Sequence, residues 1–234
     1  MRTSAFHISI VSEQEALSAL PEYVQEHIVD HGRKPEQEEP MPYPKDHKER
    51  SRRRIVEAAR ELFNRYGFDR VSIDMVMETA GLTRGGFYSH FANKEALFAA
   101  AVDSFLMGRG KEWRDWGGID PTVKSPEMAR RMVQAYLSRD HLADLAGQCP
   151  MIALSTDVSR AGPEVRAAYE RLLTAMVWLF AENQPDLGPV RRENALAMAA
   201  MCVGGMILAR TIPGSEIADE VRQAALDAAR RMIA

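Results

Sequence analysis

Residues 82–94 of the 234-residue chain read LTRGGFYSHFANK, and nearly every position there carries a local structural instruction. Thr83 is placed to cap a helix N-terminus, and Leu82 before it can pack on Phe87 four residues later as a hydrophobic staple. Gly85 and Gly86 lower helix propensity at the start of that helix, which makes sense where the backbone has to approach something closely. Asn93 is a second N-cap, opening a longer helix that begins KEALFAAAVD and is expected to run from Lys94 to about Gly110.

Upstream, Ile55, Val56, Ala59, Leu62, Phe63 and Tyr66 fall at helical spacing on one stripe, closed by Gly67. VSIDMVMETAGLT then predicts a short helix with Ser72 as N-cap, Ile73, Val76 and Ala80 inward, and Gly81 at its end. Three short helices, the second and third joined by AGLT, describe a helix-turn-helix whose third helix can lie in a major groove.

The charge pattern agrees with that reading once it is resolved along the chain. The net charge is −3, yet residues 45–94 hold 11 Lys/Arg against 7 Asp/Glu, while residues 1–44 hold 3 against 8 and residues 95–234 hold 16 against 18. Local charge governs phosphate binding because salt screens distant charges. Residues 1–44 form an acidic extension that is Pro-rich at its end (Pro35, Pro40, Pro42, Pro44), read as flexible, with Met41 as an alternative start.

After a loop read over WRDWGGIDPTVKSP, helical stretches are expected at about Glu127–Leu145, Pro150–Arg160, Pro163–Glu182, Val190–Thr211 and Ser215–Ile233, with prolines at their boundaries. No run of alternating β-branched residues appears, so the fold class is all-α. Ala195–Ile212 is about the minimum length of a membrane span, but its Ala and Gly content reads better as a buried or interface helix.

The stretch from Arg52 to Val102, above all ELFNRYGF, VSIDMVMETAGL and TRGGFYSHFANKEAL, resembles the DNA-binding domain of the TetR/AcrR family of transcriptional regulators. The resemblance is specific over residues 48–105, holds in layout only beyond them, and does not reach residues 1–44. It implies a DNA-binding domain at 45–93 and a ligand-binding and dimerisation domain at 94–234. The expected DNA-facing set is Ser72, Thr83, Arg84, Gly85, Gly86, Tyr88, His90 and Lys94, with Arg54 from the first helix. In it Arg84 can read guanine, Tyr88 reaches phosphate, and Lys94 adds a cation beside free helix N–H groups. Two members remain open: His90 reads equally as packing or cap, and Arg52–Arg54 as a solvated face in which Arg53 pairs with Glu57.

The resemblance further implies a palindromic operator, a homodimer through the last two helices, and a small-molecule effector. Trp113, Trp116, Met151, Met176, Trp178, Phe180 and Met201 are the apolar residues available to line its chamber, and they favour an apolar or aromatic ligand with a cation among the options. Ligand would pivot the fourth helix and release the operator, making the chain a repressor, with an activator as the alternative.

Cys149 offers a different switch, because in GQCPM it stands at a helix start where the dipole can lower a thiol pKa. A redox or electrophile sensor is therefore an alternative reading. With only two cysteines, no CxxC, no HExxH, no GxSxG and no P-loop, no metal, cofactor or catalytic activity is expected. A protein-binding module of the same fold is disfavoured by the intact basic TRGGFYSHF. The few cysteines and the lack of an evident leader point to the cytoplasm.

Overall fold

The computed structural model describes residues 45–184 and 190–233, and every regular element among them is helical. The readings of the acidic extension and of Met41 lie outside the described residues.

Helix α1 (Lys45–Tyr66) buries Ile55, Ala59 and Phe63 completely, and Gly67 follows it in the left-handed region at φ 78°. In α2 (Ile73–Thr79) the Ser72 hydroxyl accepts the Met75 N–H at 3.2 Å, as the capping pattern requires. Gly81, at φ 63°, turns the chain away from α2.

The next element differs from expectation. TRGGFYSHF does not form an α-helix: Arg84–Ser89 is a 3-10 helix, and Thr83 occupies its cap position without a side-chain capping bond. The pair Gly85-Gly86 weakens α-helical propensity, and the bonds that close the segment are short-range, with Gly86 N–H donating to Thr83 O at 3.0 Å. Helix α3 (Lys94–Asp103) is capped by Asn93, whose Oδ1 accepts from Ala96 N–H at 2.8 Å.

The long linking helix expected to reach Gly110 is broken. It stops at Asp103 and restarts as α4 (Arg109–Trp116), so the first four residues of the expected WRDWGGIDPTVKSP loop are helical. A Cβ at Gly108 would lie 2.8 Å from the Ser104 carbonyl oxygen, so the tight turn between the helices depends on glycine. Then follow α5 (Pro126–Tyr136), α6 (Arg139–Ala143), α7 (Pro150–Ala153), α8 (Ser155–Arg160), α9 (Pro163–Glu182), α10 (Val190–Thr211) and α11 (Glu216–Arg231).

Two hydrophobic clusters form. The first joins α1, α2, the 3-10 helix and α3 with Leu154, Val158, Val165 and Ala168. At its centre Phe63, Phe68 and Phe98 stack, with centroids 4.8–5.7 Å apart. Each fully buried phenylalanine there contributes about 1.5–3 kcal/mol. Leu97, Phe98, Ala101 and Val102 thus tie α3 to the helix-turn-helix, while Phe105, within the break, belongs to the second cluster with α5, α9, α10 and α11. Among the described helices α10 alone is long and apolar enough to cross a membrane, but Ala195, Met198, Ala199, Cys202, Gly205, Met206 and Ala209 are buried in this second core.

Candidate functional site

The α2 N-terminus and the 3-10 helix present one exposed surface. Ser72, Thr83, Arg84, Gly85 and Tyr88 are all exposed on it, as is Arg54 on α1, while Gly86 and His90 are half-buried. Tyr88 is 63% exposed, with its ring set edge-on against the buried Phe87 at 5.2 Å, so packing orients the ring and leaves the phenol free. A Cβ at Gly85 would meet nothing within 4 Å and its φ is not positive, so nothing in the protein's own packing requires glycine there.

Arg84 is held by a partner that the spacing did not suggest: its Nη1 donates to Asp74 Oδ2 at 2.6 Å, with both side chains more than half exposed. Arg52 acts from behind. Its Nη1 donates to the His90 carbonyl at 2.9 Å, and its guanidinium lies 4.2 Å from the centre of the Phe91 ring. Burial, with Lys48 and Arg52 nearby, lowers the His90 pKa, which keeps that ring neutral at pH 7. Arg53 gains no bond to Glu57, because Glu57 pairs with the buried Arg60 at 2.5 Å.

Lys94 corrects an expectation. Its ammonium does not face solvent; Nζ donates to the Phe68 and Val71 carbonyls at 3.0 and 3.1 Å and lies 4.1 Å from the Phe68 ring centre. Lys94 therefore locks the α1–α2 turn onto α3, and what this helix start offers to an anion is its backbone.

Behind the break, the second cluster encloses a cavity of about 60 Å³ lined by Phe105, Leu106, Trp113, Arg114, Tyr136, His141, Cys149 and Met151 among others. Of the residues expected to line a chamber, Trp113, Met151, Met176 and Phe180 do so. Trp116, Trp178 and Met201 do not: Trp116 is 68% exposed at the end of α4, and the other two pack half-buried against the core. The signal missed was polar: Arg114, Tyr136 and His141 lie on three different helices, and no local periodicity brings them together.

His141 organises one wall. The Cys149 N–H donates to His141 Nε2 at 3.3 Å, which leaves the ring proton on Nδ1 facing the Tyr136 carbonyl at 2.8 Å. Burial lowers the His141 pKa, so the ring stays neutral, with both nitrogens engaged. Trp113 packs over it at 5.2 Å.

Cys149 corrects a second expectation. It does stand at the start of α7, but complete burial outweighs the helix dipole and the hydrogen bonds around it, pushing the thiol up to about 11. Cys202 is pushed up further, to about 12. Neither thiol has the accessible, electropositive setting of a sensor.

The segment that leads into the cavity-lining Cys149 is bonded to the helix-turn-helix. Asn64 Nδ2 on α1 donates to the Ala146 and Gln148 carbonyls at 3.0 and 2.7 Å, and Arg60 Nη1 donates to Ala146 O at 2.8 Å. From α10, Arg210 reaches the Asn64 carbonyl at 2.6 Å and the Gln148 side chain. Gln148 Nε2 in turn donates to the His141 carbonyl at 3.2 Å.

Residues 55–101 match the family of bacterial regulatory proteins of the tetR type. The chain is 36% identical over 160 residues to the HTH-type regulator YdgC of Bacillus subtilis, a match covering 67% of this chain and 77% of that relative. With YfiR of the same organism it is 36% identical over 62 residues, 26% of this chain and 30% of the relative. The match to the A-factor receptor protein of Streptomyces griseus likewise spans only 18% of that protein. In fold it is similar to the reduced form of E. coli NemR, at TM-score 0.65 and 17% identity over 79% of this chain and 97% of that one. The match along most of YdgC, together with the family match over the helix-turn-helix, identifies the chain as a member of the TetR family of bacterial regulatory proteins.

Proposed function

We propose that the chain is a cytoplasmic repressor that binds a palindromic operator as a homodimer and leaves it when a small molecule occupies the cavity behind α4. The observation that carries this reading is the bonding of Ala146 and Gln148, in the segment that leads into the cavity-lining Cys149, to Asn64 and Arg60 on α1 of the helix-turn-helix. In this reading the DNA-binding domain is 45–93 and the ligand-binding and dimerisation domain 94–234, with α3 packed on the helix-turn-helix core as the element between them.

On the DNA side, Arg84 reads a base edge, Tyr88 and Ser72 bond phosphates, and Gly85 lets the backbone come close. His90, held in place by Arg52, and Arg54 flank this contact. On the ligand side, Phe105 and Leu106 lie within the break between α3 and α4 and also line the cavity. A ligand there acts on the break itself, in place of the pivot of one continuous helix, and moves α3 with the recognition segment. The two recognition segments then lose the spacing of about 34–36 Å that successive major grooves demand.

Dimerisation is supported by an apolar face. Leu196 and Leu208 on α10, Ile212 just past its end and Ile217 on α11 are each 45–56% exposed, and a Cβ at Gly204 between them would meet nothing within 4 Å. A self-complementary two-fold contact buries such a face and supplies the second half-site reader. Leu208→Glu tests it by size-exclusion chromatography and gel shift. A monomer that no longer shifts palindromic DNA supports the reading; an unchanged dimer, or a monomer with full affinity, refutes it.

A further inference from the structure

The cavity's wall holds a cation without an anion. Arg114, on α4, is half-buried in the wall, and its one hydrogen bond is from Nη2 to the Leu106 carbonyl at 3.0 Å. Among the described residues no carboxylate forms an ion pair with it; its neighbour Asp115 supports its charge from a distance but is bonded to Lys111 at 3.1 Å. The contrast within the same helix is sharp, since Arg109 bonds both Glu112 and Asp144. No aspartate or glutamate lines the cavity at all. Burial lowers the Arg114 pKa, the mark of a guanidinium giving up water without a full countercharge.

A second polar group in the wall is only weakly matched. Tyr136 is 6% exposed, and its phenol finds no oxygen or nitrogen partner, only the Cys149 thiol, a weak acceptor. His141 cannot serve it, because both ring nitrogens are already engaged. Around these two groups the wall is aromatic and sulfur-rich, with Phe105, Trp113, Met176 and Phe180. A cationic ligand, one of the options the Trp and Met content left open, would face an arginine and no acid.

The geometry points to a small aromatic or otherwise apolar monocarboxylate as the effector, its ring among Trp113, Met176 and Phe180 and its carboxylate on Arg114 and the Tyr136 hydroxyl, with the cavity of about 60 Å³ widening at the α3–α4 break to admit it. A carboxylate supplies the acceptors that a planar guanidinium fork and a phenol O–H lack here, and its apolar body suits the rest of the wall. This inference rests on the reading of the cavity as the effector site.

The test uses the full chain and a charge-matched series: 3-phenylpropionate, 3-phenylpropanol and 3-phenylpropylamine. Binding is followed by Trp113 fluorescence, with a Trp113→Phe variant to assign the signal, and by thermal shift. The carboxylate is expected to bind tightest and the amine weakest. Arg114→Gln is expected to weaken the carboxylate about tenfold or more while moving the alcohol less than about twofold, since a charge-assisted bond is lost from one ligand only. Tyr136→Phe is expected to weaken carboxylate and alcohol together, which keeps the assignment testable if Arg114→Gln fails to fold. Binding of the alcohol or amine as tight as the carboxylate overturns the anion assignment and leaves the cavity as a site. Failure of all three to bind, with DNA release by none, overturns both the assignment and the effector reading of the cavity.

Discussion

The Asn64 amide on α1 donates to the Gln148 carbonyl at 2.7 Å, one residue before Cys149 enters the cavity wall. The bond is buried, and the same amide also reaches Ala146. A change in the wall therefore has a short covalent and hydrogen-bonded route to the helix-turn-helix, independent of α3. Asn64→Ala leaves the buried Gln148 carbonyl without this donor, while Ala146 keeps Arg60, so it is expected to cost about 1–3 kcal/mol in thermal or urea unfolding. It is also expected to shrink the ligand-induced change in DNA affinity. Full ligand response in a destabilised Asn64→Ala protein would remove this contact from the switching route.

Arg84 and Asp74 form the second testable pair. In free protein the guanidinium lies on Asp74, and DNA has to displace that carboxylate before a base edge can be read. Arg84→Ala is expected to weaken operator binding by about 1–3 kcal/mol and to relax sequence preference at one base pair. Asp74→Asn is expected to tighten binding by up to about fivefold, because an exposed pair competes only weakly. Equal losses on operator and random DNA would make Arg84 a phosphate contact instead.

Gly85 separates folding from DNA contact. With open space at its Cβ position and no positive φ, Gly85→Ala is expected to fold normally and to raise stability by about 0.4–1 kcal/mol. The same change is expected to weaken operator binding, since the added methyl stands between the backbone and the DNA. A melting curve and an anisotropy titration on one preparation check both halves.

The Cys149 thiol is expected to be inert in the folded protein. Its folded pKa of about 11 exceeds its ordinary value of 9.0, so the native state disfavours the thiolate. The stability this burial supports is complete below about pH 9 and is lost as pH rises towards 11. Native protein at pH 7.5 should react slowly with a disulfide reagent, and quickly only after unfolding. Cys149→Ser should keep its ligand response. Fast native labelling that abolishes DNA binding would restore the thiol-switch reading.

His141 gives the opposite pH sign. Burial depresses its folded pKa below the ordinary 6.5, so the stability of the neutral ring is present above pH 6.5 and lost as pH falls through the folded value. Wild type is expected to lose melting temperature below about pH 6.5 more steeply than His141→Gln does. Parallel pH profiles would show that another group governs acid stability.

The parts of the fold legible in sequence are those set by neighbours three or four residues apart. Ser72 and Asn93 cap as their spacing requires, and the α1 stripe buries Ile55, Ala59 and Phe63. The break after Asp103 was not legible, because SFLMGRG contains no proline and the turn rests on the close approach of Gly108 to Ser104. The Lys94 ammonium was misplaced for a similar reason: its acceptors, on Phe68 and Val71, lie 26 and 23 residues away. In the cavity, composition found the aromatic and methionine wall but not the Arg114, Tyr136 and His141 grouping, which only the packing of α4, α5 and α6 creates. Trp116 shows the converse, a large apolar residue that packing leaves outside.

Operator binding by the purified 234-residue chain tests the central claim most directly. Fluorescence anisotropy on DNA from upstream of its own coding sequence, taken across a salt series, reads affinity, specificity and charge contacts together. The account requires tight binding to a palindromic site, with a steep inverse dependence on salt and loss in both Arg84→Ala and Tyr88→Ala. Binding that is absent from that and every selected DNA, or that is unchanged in both variants, would contradict it.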